Sequence, residues 1–332
     1  MRNKLNFKDS KHTFVIAEVG SNWKCGAYDD DLERAKELIK VTAKAGADAV
    51  KFQTYKPETT YVLGAGKTNY LSEHGINENI NDIFQRLSMP YEMLPELAKF
   101  CEQENIMFMS TPFSIQDAKE VDQHVQIHKI ASFEINHVRL LDFLADTGKP
   151  ILISTGASTY DQIDFAVDRV MKRGNHLSVI PQMKSRYNIP VGFSDHSVEP
   201  MIAPILAIGL GARIIEKHFT LDRKLPGPDH PFALIPSELE LMIKSIRYAE
   251  SALGSGRKEI LKEELELRKF ATRAIQAIRE ISKGEILKEG VNIDVLRPGG
   301  RMRGLEPRFL GLVQGKKATK DIKIGDGITE YK

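Results

Sequence analysis

Short apolar runs alternate with longer stretches of helical period along most of this chain. Runs of strand length fall at HTFVIAEVG (12–20), DAVKFQT (48–54), IMFMSTPF (106–113), IHKIAS (127–132), PILISTG (150–156), PVGFSD (190–195) and RIIEKHFT (213–220). Amphipathic stretches such as DDDLERAKELIKVTAKAG (29–46) and PYEMLPELAKFCEQEN (90–105) lie between them. The first opens on acidic residues and closes on Gly46, as helix termini favour. Repeated strand–helix units predict a parallel sheet, and this many favour a closed (β/α)8 TIM barrel. A doubly wound open sheet is the alternative. It fits less well because polar residues recur at nearly every strand's C-terminal end, the face where barrel enzymes gather their chemistry. One interval is short. After a helical stretch at about 158–173, only RGNHLSVIPQMKSRYNI precedes the strand at 190. A complete barrel needs LSVI (177–180) as a minimal strand and PQMKSRYN (181–188) as a short helix.

The pattern changes beyond residue 253. GSGRKEILKEELELRKF (254–270) is charged and glycine-flanked, the mark of an exposed linker. A weak repeat follows, REISKGEILKEG (279–290) and KDIKIGDGITEY (320–331), each with alternating apolar positions around a glycine turn. It predicts a small β-rich module, too small to fold robustly alone and expected to lean on the barrel or on a second subunit. The expected organisation is a barrel over 1–253, a linker over 254–272 and the β-rich module over 273–332.

Composition narrows the function. A hydrophobic content of 42% suits a globular protein with a real core. The formal net charge of +2, without a dense basic run, argues against a charge-driven nucleic-acid binder. No apolar run is long enough to span a membrane, and the polar N-terminus MRNKLNFKDSKH does not resemble a signal peptide. Cys25 and Cys101 lack metal-type spacing and read as free thiols of a reducing cytoplasm.

The chemistry collects at the predicted strand tips. They carry Glu18 with Ser21 and Asn22; Lys51 and Gln53; Ser110 and Thr111; Lys129 and Ser132; Ser154 and Thr155; Ser194, Asp195 and His196; Lys217 and His218. His196 and His218, on adjacent strands, can meet on one metal ion; the alternative is a pair of hydrogen-bonded structural histidines. Lys51, Lys129 and Lys217 are expected to converge. Lysines in a barrel mouth are costly to bury without an anion, and phosphoenolpyruvate, a phosphate and carboxylate together, would answer them. The alternative is that each lysine reaches solvent or pairs with Asp or Glu. Asp229 and His230 follow in a Gly/Pro-stiffened loop, where a carboxylate suits a sugar hydroxyl.

The motifs AEVGSN (17–22), GADAVKFQT (46–54), STPF (110–113), HKIAS (128–132), STG (154–156), GFSDHS (192–197), EKHFTLDRKLPGPDH (216–230) and RPG (297–299) together resemble the sialic acid synthase family over nearly the whole chain. The resemblance implies condensation of phosphoenolpyruvate with an N-acetylhexosamine to give a nine-carbon 3-deoxy-2-keto acid and phosphate. It implies a β-rich tail similar to type III antifreeze proteins (an SAF domain) that reaches over the site of a partner subunit in a domain-swapped homodimer. It implies that His196 and His218 bind manganese or magnesium, and that Lys51, Thr111, Lys129, Ser132, Ser154, Ser194 and Lys217 hold phosphoenolpyruvate. Glu18, Gln53 and Asp229 would face the acceptor sugar, with Glu18 moving a proton and Arg297 contacting the N-acyl group from the other subunit.

Two departures stand out. Trp23 occupies a position where the family usually has histidine, which is expected to alter the lip of the site. Gly174-Asn175 runs almost directly into HLSVIPQMKSRYN, so about one barrel strand and its loop are missing relative to the family pattern. Losing a strand exposes ladder hydrogen bonds, which favours a stretch of the natural chain left out of this sequence over a seven-stranded enzyme. The acceptor signals are mixed. LDRKLPGPDHPFAL resembles the N-acetylneuraminate branch, whereas ASFEINH (131–137) resembles synthases of pseudaminic and legionaminic acids, which use 2,4-diacetamido-trideoxyhexoses. Rival readings are a catalytically impaired homologue that binds sugar or a partner, and a synthase of shorter keto-sugar acids, against which the tail argues.

Overall fold

The computed structural model describes residues 12–67, 77–171, 186–254 and 257–332. It divides into two compact units, Met1–Gly254 and Ser255–Lys332.

Among the described residues, the first unit has seven parallel strands: β1 (Phe14–Gly20), β2 (Ala49–Thr54), β3 (Met107–Pro112), β4 (His128–Ile130), β5 (Ile151–Ile153), β6 (Gly192–Asp195) and β7 (Ile214–His218). Five form a sheet in the order β3-β2-β1-β7-β6, β4 pairs with β5, and β4 lies beside β3. The last strand therefore pairs with the first, Glu18 standing opposite His218 and Phe14 opposite Ile214. That neighbour relation belongs to a barrel and not to an open doubly wound sheet. Among the described residues β5 and β6 are the edges. The strand expected at 177–180, and most of the short helix expected after it, lie outside the described residues.

Helices follow the strands: α1 (Tyr28–Ala45), α2 (Ile80–Leu87), α3 (Met93–Gln103), α4 (Ile115–Asp122), α5 (Val138–Asp146), α6 (Tyr160–Met171), α7 (Ile202–Gly209) and α8 (Pro236–Ala252). Helix α1 begins on Asp29, Asp30 and Asp31 and stops at Gly46, whose φ of +88° lets its N–H turn back onto Thr42 and Ala43 carbonyls. Helix α3 starts three residues later than the pattern suggests, because Pro90 opens a turn whose carbonyl accepts from Met93 N.

Strand alternation sorts the core into two layers. Phe14, Ile16, Ala49, Met107, Met109, Ile127, Leu152 and Ile214 pack together inside the barrel. Val15, Ala17, Val19, Val50, Phe52, Phe108, Ile215 and Phe219 pack outward against helices α1, α3 and α8. The interior apolar layer stops at Met109 and Leu152; the next inward positions are polar, and they make the site described below. Trp23 is 1% exposed and packed in the outer core.

In the second unit, β8 (Ala274–Ala277) and β9 (Ile293–Leu296) form an antiparallel pair. The repeat seen in the sequence is structural. Ile281 and Ile322 exchange backbone hydrogen bonds, and Gly284 and Gly325 turn the chain at φ of +86° and +84°. Leu287 and Ile328, the matching apolar positions, are fully buried in this unit's own core. A short helix α9 (Leu265–Ala271) precedes β8. Cys25 is exposed and Cys101 buried, both unbridged. Among the described residues no helix is long and apolar enough to cross a membrane.

Candidate functional site

The inward side chains above the apolar layer form one polar cluster, buried at Glu18, Lys51, Thr111, Lys129, Glu216 and His218 and exposed at Ser194. Register places Glu18, Lys51 and His218 on neighbouring strands, with Glu18 opposite Lys51 on one side and His218 on the other. Lys51 ion-pairs with Glu18 and donates to Thr111 Oγ1 at 3.0 Å. Lys129 donates to Glu216 Oε1 at 3.2 Å, Ser194 Oγ donates to the same oxygen at 3.1 Å, and Lys51 lies 3.7 Å from it. Burial alone would raise the Glu216 carboxyl, but the Lys129 and Lys51 ammonium groups overcome it and hold the group at about 2. Burial pulls the Lys129 ammonium below its ordinary value against the opposing charge of Glu216. For Lys51 burial acts in the same direction, yet Glu18 and Glu216 together raise it.

Two expectations are thereby corrected. Lys51 and Lys129 converge, but Lys217 does not join them. It occupies an outward position of β7, between the inward Glu216 and His218, and is fully buried in an ion pair with Asp195. Each of the three lysines also has a carboxylate partner of the chain itself: Glu18 and Glu216 for Lys51, Glu216 for Lys129, and Asp195 for Lys217. Their burial needs no bound anion to account for it. Glu216, the hub of the cluster, is absent from the residues singled out in the sequence. The signal was available, since strand alternation in IIEKH puts Glu216 on the face of His218.

Glu18, Gln53 and Asp229 come together around Gly20. Gln53 Nε2 donates to Glu18 Oε1 at 2.9 Å, and the Ser21 hydroxyl donates to Asp229 Oδ2 at 3.2 Å. Gly20 has φ of +57°, and a Cβ there would stand 2.6 Å from Asp229 Oδ2, 3.3 Å from Gln53 Nε2 and 3.4 Å from Glu18 Oε1. Only glycine fits this approach. His230, beside Asp229, is buried and hydrogen-bonded to Thr220 Oγ1 through Nδ1 at 2.6 Å, a structural role.

The imidazoles of His196 and His218 stand with ring centroids 4.8 Å apart, and Phe232 packs against both. Partial burial of the ring, and then the neighbouring His218, pull His196 below its ordinary value, a direction that favours the neutral form a metal ligand needs. Nδ1 of His218 is buried without a hydrogen-bond partner. A paired neutral imidazole and an orphaned ring nitrogen fit a divalent cation with two protein ligands. Among the described residues no cluster of three or more His, Cys, Asp or Glu offers a fuller protein cage.

At the tips of β4 and β5, Ser132 and Ser154 are half-buried. Gly156 of the β5 loop lies beside Ser132, whose hydroxyl oxygen would be in ordinary contact with a Cβ there at 3.6 Å. The next turn adds a residue that the sequence did not single out. Glu134 has a buried Oε2 without a hydrogen-bond partner, and burial pushes its carboxyl up to about 7. It lines a cavity of about 380 Å³ with Thr59, Thr60, Phe113, Phe133 and His137. Nothing in the local motif marks this shift, which arises from burial by distant elements. Arg297 sits in the second unit, exposed at the end of β9. Its RPGG loop is held by Gly299, whose N–H donates to Phe270 O at 3.1 Å.

Known proteins resemble this chain along nearly its full length. The profile of the NeuB family matches residues 38–176 and 174–258. The chain is similar to pseudaminic acid synthase of Campylobacter jejuni, 34% identical over 348 aligned positions and 98% of each chain. It is similar to N,N'-diacetyllegionaminic acid synthase of Legionella pneumophila, 33% identical over 94% of this chain and 92% of the other. Among solved structures, the spore coat polysaccharide biosynthesis protein SpsE of Bacillus subtilis superimposes with a TM-score of 0.62 at 35% identity, over 97% of this chain and 94% of that one. The first alignment is longer than the 332 residues of the chain, so that relative carries positions without a counterpart here. The family profile matches in two stretches that overlap at 174–176.

Proposed function

This chain belongs to the NeuB family, and from that membership we propose that it condenses phosphoenolpyruvate with an N-acetylhexosamine and water to give a nonulosonic acid and phosphate. The observation that carries the reading is the polar cluster at the strand tips, with Lys51, Lys129, Thr111 and Glu18 buried and Ser194 and His196 open to solvent. Two ammonium groups and the Thr111 and Ser194 hydroxyls lie beside a two-imidazole pair and the Glu18–Gln53–Asp229 group. Lys51 and Lys129, with Thr111, Ser194, Ser132 and Ser154, bind the phosphate and carboxylate of phosphoenolpyruvate. The entering anion competes with Glu216 for both lysines, which orders the site without new positive charge.

His196 and His218 would hold a divalent cation, manganese or magnesium, which as a Lewis acid polarises the aldehyde of the open-chain acceptor. C3 of phosphoenolpyruvate forms the new carbon–carbon bond to the aldehyde carbon, whose oxygen takes up a proton. Water adds to the electron-poor C2, and the C2–O bond to phosphate breaks as the ketone forms. Glu18, hydrogen-bonded to Gln53 and ion-paired with Lys51, is the carboxyl proposed to move these protons. Gln53 and Asp229 orient the sugar hydroxyls.

The second unit is proposed to be the antifreeze-like domain, contributing Arg297 to the acceptor site of a partner subunit in a homodimer. Its planar guanidinium suits an N-acyl oxygen. The named relatives favour a 2,4-diacetamido-trideoxyhexose as acceptor. The division of the family match into two stretches that overlap at 174–176 motivates a second reading, a homologue that binds sugar or a partner without turnover. Phosphate release decides between the two. Release that requires phosphoenolpyruvate, an acceptor and manganese together supports the synthase. Binding of either substrate without release supports the second reading.

A further inference from the structure

Lys217 has no exposed surface, although it sits one residue from His218 at the mouth of a barrel. It points away from the cluster that holds Lys51 and Lys129. On β7, Ile214 belongs to the interior layer while Ile215 and Phe219 belong to the outer one, and Lys217 shares their side. Register sets it opposite Asp195 on β6.

What surrounds its ammonium group is one short loop. Lys217 ion-pairs with the Asp195 carboxylate and donates to the backbone oxygen of Ser197, to Ser197 Oγ at 3.1 Å and to Glu199 O at 3.2 Å. The loop is folded tightly on itself as well. Asp195 accepts from Ser197 N at 2.8 Å and from the Ser197 hydroxyl at 3.0 Å, and the Glu199 carboxylate accepts from Met201 N at 3.0 Å where α7 begins. His196 lies within this loop, between the two residues that bind Lys217 most closely. One buried ammonium thus ties residues 195–199 to the strand that carries His218.

We propose that Lys217 is a positioning residue for the two-imidazole site and makes no contact with substrate. It fixes the loop bearing His196 against the strand bearing His218, so that the rings stand 4.8 Å apart and face one cation. An ammonium is suited to this task, being a compact charge whose three donors reach acceptors in several directions; the flat fork of arginine would not fit the same oxygens. The inference rests on the reading of His196 and His218 as metal ligands, so its test reads metal binding directly.

Manganese binding to the full-length protein is followed by electron paramagnetic resonance of the free ion, and phosphoenolpyruvate binding by calorimetry. The variants are Lys217→Met and the charge-balanced Asp195→Asn/Lys217→Met, the second keeping the protein folded if an unpaired buried Asp195 unfolds the first. The expected result is a loss of manganese affinity of about 10–100-fold, as for other groups that orient metal ligands. Phosphoenolpyruvate affinity should stay within about twofold and thermal unfolding should remain cooperative. Wild-type manganese affinity in the double variant would overturn the proposal, since charge balance alone would then suffice. Loss of phosphoenolpyruvate affinity with manganese affinity kept would overturn it too, placing Lys217 in substrate contact. A wild-type protein that binds no manganese would sink the two-imidazole reading itself, and the proposal with it.

Discussion

At the scale of single residues, Glu216 is the group on which the site turns. It accepts from Lys129 and Ser194 and faces Lys51, so neutralising it leaves two buried ammonium groups with half their counter-charge. Glu216→Gln should destabilise the barrel unit by about 3 kcal/mol, as breaking a buried pair does. Urea unfolding of that unit checks this, and an unchanged midpoint would refute it. Gly20→Ala forces a side chain into φ of +57° against Asp229. It should cost about 1–2 kcal/mol and lower kcat/KM for the acceptor by about 100-fold through misplacement, leaving phosphoenolpyruvate binding near wild type. Glu134 makes a pH signature. Its folded value of about 7 lies above the ordinary 4.5, so the native protein keeps a proton that the unfolded chain releases. Its contribution to stability is complete below about 4.5 and is lost as pH rises through about 7. Relative to Glu134→Gln, the wild-type melting temperature should therefore fall between pH 4.5 and pH 8; a constant difference would show that the carboxyl is not perturbed. These residues were legible to different degrees. Residue types at strand tips were visible, and so was the convergence of Lys51 and Lys129, which meet at Glu216. Lys217 stands at a strand tip like the other two lysines, but the alternation of IIEKH turns it to the outer face with Ile215.

At the scale of elements, the strands and helices were legible because their periods are strong and their ends are marked, as at Asp29–Asp31 and Gly46 of α1. The pairing of β7 with β1 was implied by the barrel reading, whereas the edges at β5 and β6 depend on the stretch 172–185, outside the described residues. The repeat in the second unit was legible as Ile281–Gly284–Leu287 against Ile322–Gly325–Ile328. What was not legible is the crossing that locks it. Gly304 and Gly327 approach so closely that a Cβ on Gly304 would overlap Ile275 O and stand 2.7 Å from Ile328 N. No sequence period encodes a backbone contact between two distant loops. Gly304→Ala should destabilise the second unit by about 3 kcal/mol or more through overpacking, leaving the barrel unit unaffected. Hydrogen exchange at the amides of Ile275 and Ile328 reads this directly, and unchanged protection there would refute the crossing as a determinant of that unit's stability.

At the scale of the whole molecule, a barrel-type unit with polar strand tips and a separate β-rich unit are joined in one chain that matches synthases of pseudaminic and legionaminic acids along nearly its full length. The central claim is that this chain forms a carbon–carbon bond between phosphoenolpyruvate and a hexosamine. Mass spectrometry of the product tests it most directly, with phosphoenolpyruvate, manganese and, in parallel, N-acetylmannosamine and 2,4-diacetamido-trideoxyhexoses. The account predicts a new acid whose mass equals an acceptor plus pyruvic acid, formed with one phosphate released per acid and lost in His218→Ala. Phosphoenolpyruvate consumed to free pyruvate with the acceptors unchanged, or no consumption with any of them, would contradict it.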